Sequence, residues 1–367
     1  MSNLESLLRE RSLPDIFTLK SGKKVTSDAD FSKRRYEIKK LLEENEYGTV
    51  PGRPDHLRVE ALEYGKPGFL AGKATYTVYK LTATFADREF SFPIKAVIPK
   101  RSYPVPTFIH IAFPQSETKL YQPTEEIADE GFAIFSFDYT DITSDDGDFS
   151  RGIAPYFAAS RRKLNSPGKI AMWAWTAMRV MDFVETLDYI DRDIVAVIGH
   201  SRLGKTALLA GAFDERFKFV ISNNSGCSGA ALTRGKSGEG VARITNRYPY
   251  WFCPRYSKCA KNFDSEADFD QHFLLSLIAP RYLLIGSAED DLWADPTSEF
   301  LAAKAASEAY GFLGRKGLIT GDGLPKAKTV LDSGDICYHI RHGAHYLSRE
   351  DWRVYMDFIK AKMGKHR

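Results

Sequence analysis

Cysteine is scarce: a chain of 367 residues carries four, Cys227, Cys253, Cys259 and Cys337. Four thiols cannot staple a fold of this size. None stand as Cys-x-x-Cys, and Cys253 and Cys259 have no histidine pair nearby at zinc-finger spacing, so they read as mostly buried thiols. Charge of one sign is scarce as well. With 51 Lys and Arg against 48 Asp and Glu, the formal charge is +3, too small an excess to imply nucleic acid or an anionic membrane as the main partner. No stretch approaches the roughly 18 uninterrupted apolar residues of a membrane-spanning helix. The opening MSNLESLLRERSLPD lacks the apolar run of a secretory signal. As written, the sequence therefore leads us to expect a cytoplasmic protein, or a secreted or periplasmic one if a leader has been trimmed. Repeats, low-complexity tracts and Pro/Gly/Ser linkers are also missing.

What remains is ordinary for a globular chain: 43% hydrophobic and 27% charged, which excludes a disordered chain, a coiled coil or a fibre. Residues 1 to about 60 are charged and partly helical in pattern, with FSKRRYEIKKLLEENEYG reading as an amphipathic helix stopped at Gly48. From residue 74, TYTVYKLTATFA and REFSFPIKAVIPK are spaced like an antiparallel hairpin. Five short, nearly continuous apolar runs follow: TFIHIAF, GFAIFSFDY, DIVAVIGH, FKFVISNN and RYLLIGSA. Such runs suit strands buried on both faces of a parallel sheet. Helical patterns alternate with them, notably IAMWAWTAMRVMDFVETLDYI, where Trp173 and Trp175 read as core, and KTALLAGAF. The pattern predicts one α/β domain over 1–367 with a mostly parallel central sheet between layers of helices, and 1–70 as a helical extension packed on it. Residues 141–168 and 225–270 are long and irregular, which in a compact domain points to walls or lids of a site.

The chemistry concentrates in DIVAVIGHSRLGKTALLAGAF (193–213), a buried strand running through a glycine turn into a helix. Two motifs overlap here. Gly199-x-Ser201-x-x-Gly204 is like a nucleophile elbow, in which small neighbours let a serine sit on a sharp strand-to-helix turn. It carries one residue more than usual before the second glycine. Gly199-x-x-x-x-Gly204-Lys205-Thr206 equally satisfies the P-loop pattern, in which loop amides cradle phosphates and Thr206 would bind magnesium. The elbow is favoured by context. At least two buried strands precede the motif, and the next strand ends in SNN rather than in an acid for magnesium. An acid and a histidine also follow in the order Ser, Asp, His expected of α/β-hydrolases.

The acid should lie just beyond a late strand, where RYLLIGSAEDDLWADP offers Glu289, Asp290, Asp291 and Asp295. Asp290 is the main rival to Asp291. The base should follow the last strand, where DICYHIRHGAHYL offers His339, His342 and His345. Gly343-Ala344-His345 best suits an imidazole reaching back over a sheet, His342 competes with it, and His339 falls inside the strand pattern. No helix aligns the three histidines for a metal. His272, before an apolar helix-like run, reads as a buried hydrogen-bonding group.

Taken together, GHSRLGKTAL, SNNSGCSGAAL, SGEGV, DQHFLLSLIAPRYLLIGSAEDDLWADP and YHIRHGAHYLSREDW resemble the bacterial branch of the glucuronoyl esterases, carbohydrate esterases of the α/β-hydrolase fold. The resemblance runs from about residue 90 to 360. It implies cleavage of the ester between 4-O-methyl-glucuronic acid on xylan and an alcohol, in plants usually a lignin alcohol. By the same resemblance Ser201 matches the nucleophile, Arg202 the arginine that stabilises the oxyanion, and His345 the catalytic histidine. Asp291 matches the triad acid of the bacterial members. Lys205 and Glu239 match residues that hold the sugar, and Trp293 a ring that packs against it. Some members, notably fungal ones, carry the acid as a Glu just after the strand following the elbow; that position is Asn224 here, which leaves the role to the later loop. The missing leader departs from relatives that mostly act outside cells, and is compatible with imported oligosaccharides or small glucuronate esters.

The expected activity is therefore that of a serine esterase acting on glucuronate esters, with no metal or organic cofactor required and no obligate protein partner evident. An acetyl-xylan or other carbohydrate acyl esterase, a P-loop phosphotransferase and a binding protein without turnover are the competing readings.

Overall fold

The structure, a computed structural model, describes residues 4–63, 65, 68–114, 122–158 and 162–364. Its strands are β1 (His56–Glu63), β2 (Ala74–Phe85), β3 (Arg88–Pro99), β4 (Val105–Ala112), β5 (Ala133–Asp138), β6 (Ile190–His200), β7 (Phe219–Asn223), β8 (Tyr282–Ala288), β9 (Thr329–Leu331) and β10 (Ile336–Arg341). They form one sheet in the order β1-β2-β3-β5-β4-β6-β7-β8-β10-β9. From β5 to β10 all neighbours are parallel, while β1, β2, β3 and β9 pair antiparallel at the edges. The five apolar runs are these central strands. β4, β7 and β8 are buried at every position, as strands covered on both faces must be.

Helices Lys169–Val184, Arg202–Phe213 and Pro296–Phe312 contribute to the larger apolar cluster, which includes Trp173 and Trp175. Helix Arg349–Met363 covers the opposite face through Trp352, Tyr355, Phe358 and Ile359, packed with Phe108, Ile198 and Leu284. This three-layer arrangement is the α/β-hydrolase architecture. Among the described residues no helix is long and apolar enough to cross a membrane.

Two expectations for the N-terminal part need correction. Residues 56–63 are not helical: HLRVEALE is a strand, β1, paired with β2 from His56↔Thr84. Its charged, largely exposed side chains suit a sheet edge, where they discourage pairing with another chain. The early helix is Asp28–Asn45, capped by Ser27, and Gly48 lies beyond its end. At Gly48, with φ +83°, a Cβ would fall 2.4 Å from the Ser166 carbonyl oxygen. The close approach of residues 166–167 requires this glycine, not the helix stop. The extension is tied to the body by Arg35, which donates to the Leu277 and Ala279 carbonyls, and by Tyr47, whose hydroxyl donates to the Ser228 carbonyl.

The long irregular stretches carry short helices, Tyr139–Ile142 and Ala154–Phe157 in the first, Val241–Arg247 and Pro254–Cys259 in the second. Residues 159–161 of the first stretch lie outside the described residues.

Candidate active site

Strand β6 delivers the turn. Ser201 follows its last residue with φ 58° and ψ −125°, a backbone that costs a non-glycine residue of order 1–3 kcal/mol and that concentrates at functional sites. The turn closes because Gly199 has no side chain: a Cβ there would lie 2.1 Å from the Leu203 carbonyl oxygen. The Ser201 N–H donates to the Asn223 carbonyl on β7, and its carbonyl accepts from Gly204 and Lys205. Helix Arg202–Phe213 begins immediately afterwards, so first-turn N–H groups without intrahelical partners face the region above Ser201.

The candidate acid and base, Asp291 and His345, lie beyond the ends of β8 and β10. His345 Nδ1 lies 2.6 Å from Asp291 Oδ2. Asp291 is almost fully buried and also accepts from Asn224 Nδ2 at 2.8 Å and from the Ala294 N–H. Burial by itself would raise this carboxyl; the hydrogen bonds from His345, Asn224 and Ala294 outweigh it and hold the group below its ordinary value. With Nδ1 engaged, Nε2 is the nitrogen left to face a substrate-side partner. None of the other acids of the loop is shown bonded to His345. Glu289 pairs with His342 at the surface, Asp290 is exposed, and Asp295 caps helix Pro296–Phe312 through Ser298.

Two anchors that sequence reasoning missed orient the imidazole. The ring of His200, the residue before Ser201, lies 4.5 Å from that of His345. Burial, and then the neighbouring His345, push His200 down to about 3, so it is a neutral platform, fixed by Asn223 Oδ1 at 2.7 Å. Arg341 holds the loop itself: it donates to the backbone carbonyls of His342, Ala344 and Tyr346, and through Nε to Asp351. Asp351 also binds His339, which is buried as its strand position suggests, and caps helix Arg349–Met363.

Arg202 sits beside the turn. Its Nη1 pairs with Asp145, and its guanidinium lies 4.8 Å from the Trp251 ring centre and 5.4 Å from that of Phe113. Asp145 also accepts from Trp251 Nε1 at 2.6 Å and from the Tyr139 hydroxyl at 3.0 Å. Trp251 stacks on Tyr248 at 3.9 Å and 4°. The guanidinium is thus held between a carboxylate and the rings of Phe113, Tyr248 and Trp251, surroundings that suit arginine better than lysine. The only signal in the sequence was that Asp145 and Trp251 fall in the two long irregular stretches.

Lys205 is buried, with Nζ donating to the Ser225 and Cys227 carbonyls. Burial lowers its pKa, and the largest opposing field is that of Glu239. Two of its three N–H groups are therefore committed to backbone, which leaves one for a ligand. The segment carrying Glu239 packs on the acid loop. Glu239 N–H donates to the Trp293 carbonyl, and at Gly238, φ +70°, a Cβ would lie 2.4 Å from the Leu292 carbonyl oxygen. Trp293 is 46% exposed, and the Arg243 guanidinium lies 5.6 Å from its ring centre. Glu299 beneath this wall is fully buried, accepting from Gly226 N–H and Ser287 Oγ; burial raises it to about 7. No three His, Cys, Asp or Glu groups among the described residues converge as metal ligands, and all four cysteines are free.

The family described as "Glucuronyl esterase, fungi" matches residues 81–314. A carbohydrate esterase, MZ0003, from an unknown prokaryotic organism is 35% identical, covering 98% of this chain and 91% of its own length. A solved glucuronoyl esterase from Solibacter usitatus superposes with a TM-score of 0.87 at 34% identity, over 95% of this chain and 97% of that one. A mutant glucuronoyl esterase from Sporotrichum thermophile, solved with methyl 4-O-methyl-beta-D-glucopyranuronate, aligns at 28% identity with a TM-score of 0.64, over 82% and 77%.

Proposed function

The chain belongs to the glucuronoyl esterase family, and we propose that it hydrolyses esters of glucuronic acid through an acyl-enzyme on Ser201. The observation that supports this most is the strained serine turn, whose preceding residue His200 lies ring to ring 4.5 Å from His345, a histidine whose Nδ1 is held at 2.6 Å by a buried carboxylate.

In the first half-reaction Ser201 Oγ attacks the ester carbonyl carbon while His345 Nε2 takes the hydroxyl proton. Asp291 keeps the imidazole in the tautomer that can do so and stabilises the imidazolium. Negative charge develops on the carbonyl oxygen, where the helix-start amides and Arg202 supply donors. Collapse breaks the bond to the alcohol, which leaves with the proton from His345. Water then adds to the acyl-serine, giving its proton to His345; the second collapse releases glucuronate and returns the proton to Ser201.

Recognition of the uronic acyl group falls to the wall of Lys205, Glu239 and Trp293. A sugar ring offers hydroxyls to the charged pair and an apolar face to the indole. The test is hydrolysis of methyl glucuronate against acetylated xylan, with Ser201→Ala as the control. Release of methanol that disappears in the variant supports the reading; acetate release alone overturns it in favour of an acyl esterase.

A further inference from the structure

A groove of about 990 Å³ opens between two walls, residues 147–158 with Arg162 on one side and 249–258 on the other. Phe149, Tyr250, Pro254, Arg162, Ser257 and Lys258 line it. Its volume is at the upper end of ligand pockets, which run to about 1,000 Å³. Its inner end lies next to the catalytic apparatus. The Tyr250 ring is 6.4 Å from that of Trp251, which in turn binds Asp145, the partner of Arg202.

The charges of the groove are unbalanced. Arg162 is held deep in its wall, with Nη2 donating to the carbonyls of Pro167 and Phe252 and the guanidinium 4.1 Å from the Phe149 ring centre. Its Nε is buried without a hydrogen-bond partner. No carboxylate among the described residues forms an ion pair with Arg162 or with the exposed Lys258. The one acid in the lining, Asp148, is taken up by Ser150 and by Arg151 at 2.8 Å. Burial lowers the Arg162 pKa to about 10. A part-buried cation without a counter-charge is costly, and an anionic group of a ligand would offset that cost. The sequence between 234 and 258 carries six basic residues against a single acid, Glu239, in a chain whose net charge is +3.

We propose that this groove is a subsite for the carbohydrate chain that bears the scissile ester, and that it takes a chain carrying a further, unesterified carboxylate, bound by Arg162 and Lys258. Tyr250 offers its ring to a sugar face at the inner end. The proposal rests on the esterase reading for the identity of the chain, while the unpaired cations stand independently of it.

The experiment compares methyl glucuronate with an oligosaccharide bearing one methyl-esterified and one free uronic acid. Arg162 supports the backbone around it, so the variants are Lys258→Ala and Tyr250→Ala, each checked by thermal unfolding. For Lys258→Ala, kcat/KM on the acidic oligosaccharide is expected to fall about fivefold, the worth of one exposed charge contact. Raising the salt to about 0.5 M reproduces the loss in the wild-type enzyme, because it screens the same contact. Methyl glucuronate turnover stays unchanged in both variants. Equal losses on both esters, or no change on either, would each overturn the proposal. Binding of the free-acid oligosaccharide to the Ser201→Ala enzyme, measured by calorimetry, separates the two levels. If methyl glucuronate is not hydrolysed yet the oligosaccharide binds and Lys258→Ala weakens it, the groove stands and the reaction assignment falls. If the ester is hydrolysed and the oligosaccharide does not bind, the groove falls.

Discussion

Asp145→Asn tests the oxyanion role proposed for Arg202. Asp145 accepts from Arg202, from Trp251 Nε1 and from the Tyr139 hydroxyl. The amide keeps the volume but removes the charge that pairs with the guanidinium, and turns an NH₂ either toward Trp251 Nε1 or toward Arg202 and Tyr139 together, which share Oδ2. An oxyanion donor contributes about 3–4 kcal/mol, or roughly 10²–10³ in kcat. Asp145 acts through Arg202, so the loss cannot exceed that figure. The cation–π contact with Trp251 is worth about 0.5–2 kcal/mol and retains part of the orientation. We expect kcat to fall about 10- to 100-fold, with KM for methyl glucuronate nearly constant, because the ground-state ester carries no charge at that oxygen. Stability falls too: Tyr139 and Trp251 are buried, and an unsatisfied buried donor costs about 1–3 kcal/mol. The two effects separate in a double-mutant cycle. In an Arg202→Ala background, Asp145→Asn should still lower the melting temperature but leave kcat untouched. A kcat loss of the same size in both backgrounds would refute the coupling, as would an unchanged kcat beside a lowered melting temperature in the single variant.

Three further outcomes are expected. Asp291→Asn should lower kcat by about 10⁴, the loss typical of a triad acid, while Asp290→Asn stays within about twofold by steady-state assay, since Asp290 is exposed. Asn224→Asp would set a second carboxylate against Asp291, where Asn224 Nδ2 now lies at 2.8 Å; like charges raise the pair's pKa. The acidic limb of the pH–rate profile should then move up by about one unit, and an unmoved limb would show that residue 224 does not act on the acid. Glu299 has a folded value of about 7 against an ordinary 4.5, so between those values the folded chain keeps a proton that the unfolded chain has lost. Stability therefore falls as pH rises through that window. Measured by chemical denaturation, wild type should lose stability relative to Glu299→Gln between pH 4.5 and 7, and a difference independent of pH would contradict the assignment.

The central strands were legible because burial on both faces leaves a continuous apolar run, which few other structures produce. β1 was not, because an edge strand answers to solvent on one side and its charged residues mimic a surface helix. Within the candidate site, Ser201, Asp291 and His345 could be proposed since each follows the end of a predicted strand, where this architecture brings loops together. Asp291 is preferred to Asp290 by resemblance, and its burial against His345 and Asn224, which neighbouring letters do not carry, agrees with that preference. Asp145, His200 and Arg341 stayed hidden for another reason. Each acts through contacts with groups distant in the chain or through backbone carbonyls, and carbonyls leave no trace in the sequence. Arg341 shows this best: three of its four partners are main-chain oxygens of its own loop.

The stretch 199–206 shows why a motif needs its surroundings. As letters it serves a phosphate loop and a serine elbow equally, and both place a helix start above a strand. The difference lies in which side chains stay available. A phosphate loop needs Lys205 and Thr206 at the open face. Here Lys205 Nζ is buried on the Ser225 and Cys227 carbonyls, and Thr206 Oγ1 donates back to the Arg202 carbonyl at 2.9 Å. The group left at the turn is the Ser201 hydroxyl, on a backbone whose strain a phosphate site would not call for. Magnesium-dependent nucleotide binding is thus expected to be absent, because Thr206, the residue that would bind magnesium, is fully buried with its hydroxyl turned onto the Arg202 carbonyl.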